Sequence, residues 1–164
     1  MAGRRCLIVT GAAAAVVALA ACADRAASVA TQRVSIAGQR FELELALDDL
    51  DQYQGLSERD SIDPDGGMLF VFSAPAKLEF VMRRCYVPID LIFLNSNGYV
   101  IKTYRMPVER DPHAPHSQLQ KYRSVHPAQF AIELRGGTLD QLKLKIADTI
   151  DLPLEKLKKM AKSR

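Results

Sequence analysis

The chain of 164 residues carries 22 Lys and Arg against 19 Asp and Glu, which gives a net charge of +3 at pH 7. Removal of residues 1–21 takes away Arg4 and Arg5 but no acid, so that 20 basic residues remain against 19 acidic ones. Nucleic-acid binding needs a clustered basic face. The chain shows no basic cluster before its C-terminal tail, and we therefore expect no nucleic acid among its partners.

The first 21 residues have the pattern of a bacterial secretory signal. A positively charged start is followed by an apolar, alanine-rich segment at residues 6–19. The segment closes with Leu19-Ala20-Ala21-Cys22, which resembles the lipobox of bacterial lipoproteins. We therefore predict cleavage before Cys22 and acylation of this cysteine, with membrane lipid as the partner of the acyl chains. The alternatives are ordinary secretion with cleavage near Ala20 or Ala23, and an uncleaved helical anchor.

The predicted anchor places the protein in the bacterial cell envelope, facing the periplasm or the exterior. Ala23 stands where an aspartate would resemble an inner-membrane retention signal, so the outer membrane is slightly favoured. The predicted organisation is a signal peptide at residues 1–21, a lipid-anchored tether at 22–32, one domain at 33–152 and a basic amphipathic tail at 153–164. With Cys6 lost and Cys22 acylated, no intramolecular disulfide can form.

Short strands and turns dominate the first half of the domain. Residues 34–36 and 41–45 alternate apolar and polar side chains around Gly38, which predicts a hairpin with one buried face. Asp48 or Asp49 can cap a short helix through residues 50–56. Apolar runs predict buried strands at residues 68–72, 78–82 and 89–94.

The second half continues with strands at residues 99–104, 130–134 and 149–152. Residues 95–98 contain the Asn and Gly that a tight hairpin loop needs. The apolar residues of the segment 106–125 follow neither the helical nor the strand period, which predicts a long loop. Such loops are usually functional or disordered. Thr138 can cap a second short helix, and Pro153 begins the tail, whose apolar stripe is surrounded by lysines. This tail is expected to lie either on the domain or on anionic lipid.

Together, these elements predict a mainly β fold, or β-rich α+β. We expect a single small domain with a partly open antiparallel sheet or a barrel-like core, and two short helices. A domain of this length is large enough to bury a hydrophobic core of its own.

Several motifs between residues 41 and 152 occur in an order and spacing that resemble one family. They are Gln54-Gly55-Leu56 with Arg59, residues 67–72, residues 80–83, Pro88-Ile89-Asp90, Phe93 with Gly98, and Glu133-Leu134 with Gly136-Gly137. Together they resemble the domain of unknown function 192, a small bacterial and archaeal family that often follows a signal peptide. The resemblance implies a small β-rich domain with short helices and no established activity.

One motif departs from the pattern of that family. Where the family usually shows Phe-Trp-Met-Lys-Asn-Thr, this chain has Phe80-Val81-Met82-Arg83-Arg84-Cys85. The tryptophan, asparagine and threonine are therefore replaced. A site built from those side chains would be altered here, and two adjacent arginines would favour an anionic group.

Charged residues inside these motifs are the best site candidates, because a charge close to a core must pair or meet a ligand. They are Arg59, Arg83, Arg84, Asp90 and Glu133. The alternative is a structural ion-pair network, for example Arg59 with Asp90. A further alternative is an acid–base site made by Asp90 and Glu133, with Arg83 or Arg84 clamping an anionic or carbohydrate substrate.

Two other groups of residues offer weaker chemistry. The long loop contains His113 and His116 among Glu109, Asp111 and His126, but loop histidines are more often solvated, and we expect no metal or other cofactor. Arginines beside Cys85 would favour a reactive thiolate, whereas its position between strands favours a small packed residue. No catalytic residue is predicted.

The leading hypothesis is a non-enzymatic ligand-binding or accessory domain held at a membrane. Its partner would be an unknown small ligand or an envelope protein. A small hydrolase-type envelope enzyme and a protein-interaction or assembly module are the two alternatives.

Overall fold

The computed structural model describes residues 30–162, so the predicted signal peptide and Cys22 lie outside the described residues. Eight strands occur in this range: β1 (Thr31–Ile36), β2 (Gln39–Ala46), β3 (Gly66–Ala76), β4 (Glu79–Phe80), β5 (Ile89–Leu94), β6 (Val100–Met106), β7 (Tyr122–Arg123) and β8 (Ala128–Arg135). Three helices accompany them: α1 (Asp49–Gln54), α2 (Thr138–Leu142) and α3 (Leu154–Lys162). Among the described residues, no helix is both long and apolar enough to span a membrane.

Six strands form one open sheet in the order β1-β2-β3-β8-β5-β6, and β4 pairs with β7 separately. The prediction of a mainly β single small domain is confirmed. The large sheet is mixed rather than wholly antiparallel, because β2 and β3 run parallel. A parallel pair needs a crossover connection, and the chain between β2 and β3 supplies it with α1.

The large sheet is covered on both faces. Alternate residues along a strand point to opposite sides, so Ile132 and Leu134 of β8 face α3 and the segment before it. Phe70 of β3 and Phe93 of β5 face the opposite layer, which contains Met82 and the β4–β7 pair. All residues of β5 are buried, as expected for a strand with both faces covered.

Most of the predicted strands are present. The first hairpin is β1–β2, turning at Ala37 and Gly38, and the run at residues 89–94 is β5. The run at residues 78–82 forms only the two-residue β4. The predicted long loop at residues 106–125 contains β7 near its end.

The segment at residues 149–152 does not form the predicted final strand. It makes isolated bridges from Asp151 to Ser35 of β1 and from Thr149 to Tyr99 beside β6. Because β1 and β6 are the two edges of the sheet, the segment crosses between edges instead of extending along one strand. The tail that follows forms α3, where Leu157 and Ala161 are buried on the domain, and this adds a third helix to the two predicted ones.

Candidate functional site

A pocket of about 260 Å³ opens where α1 approaches the second face of the sheet. It draws residues from α1 and the turn after it, from β3, from residues 79–85 and from β8. Its lining includes the aromatic and charged side chains of Tyr53, Phe70, Phe72, Phe80, Arg83 and Glu133.

Glu133 of β8 is the central polar group of this pocket. Its side chain lines the pocket although the residue is only 5% exposed, and its Oε2 atom has no hydrogen-bond partner among residues 30–162. Burial raises the pKa of Glu133 to about 7, while a hydrogen bond from the Leu56 backbone amide and the charge of Arg59 act to lower it. A carboxyl with this pKa is present in both protonation states near neutral pH.

Gly55 brings the chain close to this carboxyl. The residue ends α1 with a φ of 52°, a backbone conformation that favours glycine. A Cβ atom at this position would lie 3.4 Å from both Glu133 Oε2 and Phe70 Cζ. A distance of 3.4 Å is an ordinary van der Waals contact, so glycine is favoured here by the backbone conformation, and the turn after α1 lies against both Glu133 and Phe70.

Arg59 pairs with Glu44 of β2 rather than with Asp90, so the proposed Arg59–Asp90 pair is wrong. Its two terminal nitrogens donate to the two carboxylate oxygens of Glu44 at 2.5 and 2.7 Å. Glu44 lies across from Thr31, the first residue of β1. Because Glu44 takes both guanidinium contacts, Arg59 influences Glu133 only through space.

The two adjacent arginines separate. Arg83 lines the pocket, donates to the Tyr53 carbonyl at 3.0 Å and stacks with its Cζ 4.2 Å from the centre of the Tyr53 ring. Arg84 has a φ of 52° and pairs with Glu58 at 2.7 Å, away from the residues that line the pocket. A joint anion clamp of Arg83 and Arg84 is therefore not formed.

Asp90 is also separate from the pocket. In the β5–β8 register, Leu91 is opposite Glu133 and Asp90 is opposite Leu134. Since neighbouring residues of a strand point to opposite faces, Asp90 and Glu133 lie on different sides of the sheet. Asp90 Oδ2 accepts a hydrogen bond of 2.7 Å from the Leu139 amide of α2, and burial raises the pKa of Asp90 despite this bond. The alternative of an acid–base site made by Asp90 and Glu133 is therefore wrong.

Cys85 is a packed residue and not an activated thiol. It is 4% exposed, and its Sγ donates to the Arg83 carbonyl at 3.5 Å. Burial raises the pKa of Cys85 to about 12, and the nearby charge of Glu133 acts in the same direction. The lowering effect of Arg83 is smaller than that of burial. These contacts favour the interpretation of Cys85 as a small packed residue over the alternative of a reactive thiolate.

The loop histidines have different neighbours. His116 lines the pocket, with its Nδ1 atom 2.9 Å from the ammonium of Lys121, whereas the ring of His113 lies 6.2 Å from that of Tyr86. Within residues 30–162, no group of three or more His, Cys, Asp or Glu side chains is arranged to hold a metal ion. The weak metal alternative at His113 and His116 gains no support from this part of the chain.

Sequence reasoning named Glu133 and Arg83 but missed the aromatic and amide side chains around them. The missed residues are Gln52, Tyr53, Phe70, Phe72 and Phe80. A signal was present, because the motifs at Gln54-Gly55-Leu56, Phe70, Phe80 and Glu133 all contribute to this one pocket. Val81, Arg83 and Cys85, which replace other residues of the family pattern, line it as well.

Comparison with known proteins gives one family and a shared fold. A family model for DUF192, described as "Uncharacterized ACR", matches residues 31–152. The chain is similar to a protein from Sinorhizobium meliloti 1021 of known crystal structure, which is described as a candidate transcription regulator. The two sequences are 29% identical and the structures superpose with a TM-score of 0.61. The match covers 73% of this chain and 89% of the Sinorhizobium chain. A protein of unknown function from Novosphingobium aromaticivorans DSM 12444 shares the fold at 24% identity and a TM-score of 0.62, covering 74% and 84% of the two chains.

A comparison with curated proteins found no significant match. The family match takes in every strand of the large sheet and the Glu133 pocket. On these residues, the chain belongs to the domain of unknown function 192 family.

Proposed function

We propose that this protein is a lipid-anchored domain of the bacterial envelope that binds a small ligand in the Glu133 pocket and does not catalyse a reaction. The observation that carries the proposal is the Oε2 atom of Glu133, which is buried and has no hydrogen-bond partner in the described part of the chain, on a residue that lines the pocket. Leaving a buried polar group without a hydrogen bond costs about 1–3 kcal/mol. A ligand that contacts this atom would recover much of that cost.

The lining of the pocket supports a small ligand. Binding sites for small molecules are mostly apolar, with a few polar groups that fix the orientation of the ligand. Phe70, Phe72 and Phe80 supply apolar surface here, while Glu133 and Arg83 supply polar groups. The volume of about 260 Å³ suits a molecule of modest size.

Binding is favoured over catalysis by the state of the groups near Glu133. The Ser57 hydroxyl donates to the Arg83 carbonyl at 2.8 Å, and the raised pKa of Cys85, about 12, keeps that thiol protonated at neutral pH. Asp90 lies on the far side of the sheet. Cys85 and Asp90 therefore supply Glu133 with neither an activated nucleophile nor a second acid–base group, which a hydrolase would need. The other acid–base side chains of the pocket, Glu79 and His116, are engaged by Arg123 and Lys121.

A role in transcription is not supported by the charges of this chain, although its Sinorhizobium relative is described as a candidate regulator. Residues 30–162 contain as many acidic as basic side chains. Several arginines are neutralised by carboxylates, as in the pairs Arg59–Glu44 and Arg84–Glu58. Affinity for nucleic acid depends on free cations clustered on one face.

The anchored location rests on the sequence Leu19-Ala20-Ala21-Cys22. It is tested by expressing the full chain in a bacterial host, isolating membranes and analysing the mature N-terminus by mass spectrometry. We expect an acylated Cys22 in the membrane fraction, and loss of acylation in the Cys22→Ala variant. A mature protein that is soluble and unacylated would contradict the anchor.

Ligand binding is tested by thermal-shift screening of the full-length protein in detergent against a library of small metabolites. The variant Val81→Trp narrows the pocket at a half-exposed position, and Val108→Trp places the same ring on a surface that does not line the pocket. We expect a compound that stabilises the wild type and Val108→Trp but not Val81→Trp. A screen in which every stabilising compound acts equally on all three proteins, or none stabilises the wild type, would contradict the proposal.

A further inference from the structure

We infer that the Glu133 pocket takes a small organic ammonium ion, a protonated amine carried on an apolar group, whose charge pairs with the Glu133 carboxylate. This inference rests on the proposed function and names the chemical class of its ligand. Two features of the pocket carry it: a buried carboxylate oxygen without a hydrogen-bond partner in the described part of the chain, and phenylalanine rings beside that oxygen.

Arg59, the cation whose charge lowers the pKa of Glu133, is already paired with another carboxylate. Arg59 directs two hydrogen bonds of 2.5 and 2.7 Å to Glu44, which holds its guanidinium in the direction of β2. Oε2 of Glu133 is buried and has no partner within residues 30–162, and the residue lines the pocket. An ammonium group that enters the pocket can donate to this oxygen and supply the opposite charge, and a charged hydrogen bond of this kind is stronger than a neutral one.

The aromatic side chains lie where they can contact the apolar part of such a ligand. Phe70 Cζ and Glu133 Oε2 are both 3.4 Å from one point above Gly55, so a ring and the carboxyl border the same space. Phe70 and Phe80 are in edge-to-face contact, with centroids 5.0 Å apart. These rings supply apolar surface for the organic group of the ligand, beside the carboxyl that would pair with its charge.

The other charged and titratable groups around the pocket are engaged in contacts of their own. They are Tyr53, Arg59, Arg83, Cys85, Glu79 and His116. Arg83 is held by the carbonyl and the ring of Tyr53, and Glu79 is paired with Arg123 at 2.7 Å and with Lys121 at 3.7 Å. An anionic ligand would be repelled by the charge of the Glu133 carboxylate. A neutral ligand would form no ion pair with this carboxylate.

Binding of a cation should depend on pH in a specific direction. Since the pKa of Glu133 is raised to about 7 by burial, only a minor fraction of the carboxyl is ionised at about pH 6. An ammonium ligand pairs with the ionised form, so its apparent affinity is reduced by that fraction at low pH. The affinity should therefore rise by about tenfold between about pH 6 and pH 8. A ligand that accepts a hydrogen bond from the protonated carboxyl would show the opposite trend.

The test compares three probes that share one ring and differ in charge: benzylammonium, benzyl alcohol and benzoate. Their binding to the full-length protein in detergent is measured by isothermal titration calorimetry at about pH 6 and pH 8. We expect benzylammonium to bind most tightly, with the pH dependence given above. Glu133→Gln should lose this preference, whereas Glu58→Gln, which removes an equal charge outside the pocket, should retain it. Circular dichroism checks that both variants are folded.

The outcomes separate this inference from the proposed function. The ammonium assignment is overturned if none of the three probes binds, or if benzyl alcohol or benzoate binds as tightly as benzylammonium. It is also overturned if the affinity for benzylammonium falls with rising pH, or if the folded Glu133→Gln variant binds benzylammonium as tightly as the wild type does. When one of the other probes binds and Val81→Trp blocks it, the pocket is a ligand site of another class. Ligand binding itself fails only if the metabolite screen fails as well.

Discussion

Asp90 and Glu133 occupy neighbouring strands of one sheet, and their side chains point to opposite faces of it. The two buried carboxyls therefore have separate surroundings. Asp90 is satisfied by the Leu139 amide of α2, whereas Glu133 faces the pocket. Removing either group should produce a different and measurable effect.

Replacement of Asp90 by alanine should destabilise the domain. The change leaves the buried Leu139 amide without its acceptor, which costs about 1–3 kcal/mol. Asp90→Asn keeps an acceptor oxygen in the same place and should cost less. The free energy of unfolding, measured by urea denaturation, distinguishes the two variants. Equal stabilities for Asp90→Ala and the wild type would show that the hydrogen bond contributes nothing.

Glu133 should make the stability of the domain decrease as pH rises. The folded state holds its proton more tightly than the unfolded chain, because burial raises the pKa from 4.5 to about 7. The contribution of Glu133 is therefore fully present below about pH 4.5 and is lost as pH rises through 7. The expected loss is roughly 3 kcal/mol.

Glu133→Gln tests this linkage, because glutamine retains the shape and an acceptor for the Leu56 amide but does not ionise. Urea denaturation at several pH values should show a decrease between about pH 4.5 and 7 in the wild type and in Glu58→Gln, and a smaller decrease in Glu133→Gln. Parallel curves for the wild type and Glu133→Gln would place the pKa of Glu133 close to its ordinary value.

Cys85 should react slowly with alkylating reagents in the folded protein. Its raised pKa of about 12 leaves little thiolate at about pH 8, so its alkylation should be about a thousandfold slower than that of a free thiol. Peptide mapping by mass spectrometry after iodoacetamide treatment identifies the modified cysteine. The same chain in urea should be labelled rapidly at Cys85. Rapid labelling in the native state would indicate that the thiol is accessible and ionised.

Gly67 should tolerate no side chain. A Cβ atom there would lie 2.3 Å from the Glu133 carbonyl oxygen of the neighbouring strand, at a φ of 152°. Gly67→Ala should therefore destabilise the domain by about 3–5 kcal/mol, because overpacking adds to backbone strain. Gly38→Ala is the matched control, since its φ is 84° but no atom lies within 4 Å of the added carbon. Thermal denaturation should show a much larger loss for Gly67→Ala.

Local patterns in the sequence identified strands well where one face or both faces are buried. The β1–β2 hairpin follows from alternation, and β5 follows from a run that is apolar except for Asp90. The parallel pairing of β2 with β3 was not predicted, because it depends on a crossover and on contacts between distant segments. The segment at residues 149–152 has the composition of a strand, but its neighbours are two different sheet edges.

The candidate site was predicted in part. Glu133 and Arg83 were named because charges near apolar strands need partners, and both line the pocket. Arg84 was named for the same reason, yet a positive φ at this residue turns its side chain towards Glu58. Asp90 was assigned to the same site because the strand register, which decides the face of each residue, cannot be derived from spacing along the chain.

The large sheet begins at Thr31, directly across from the Glu44 that holds Arg59 beside Glu133. If Cys22 is acylated as proposed, only residues 23–30 separate this corner of the domain from the bilayer, and a chain of that length reaches about 30 Å at most. The pocket would then remain within a short distance of the lipid headgroups. Amines that accumulate at an anionic lipid surface would meet it at a higher local concentration than in the bulk.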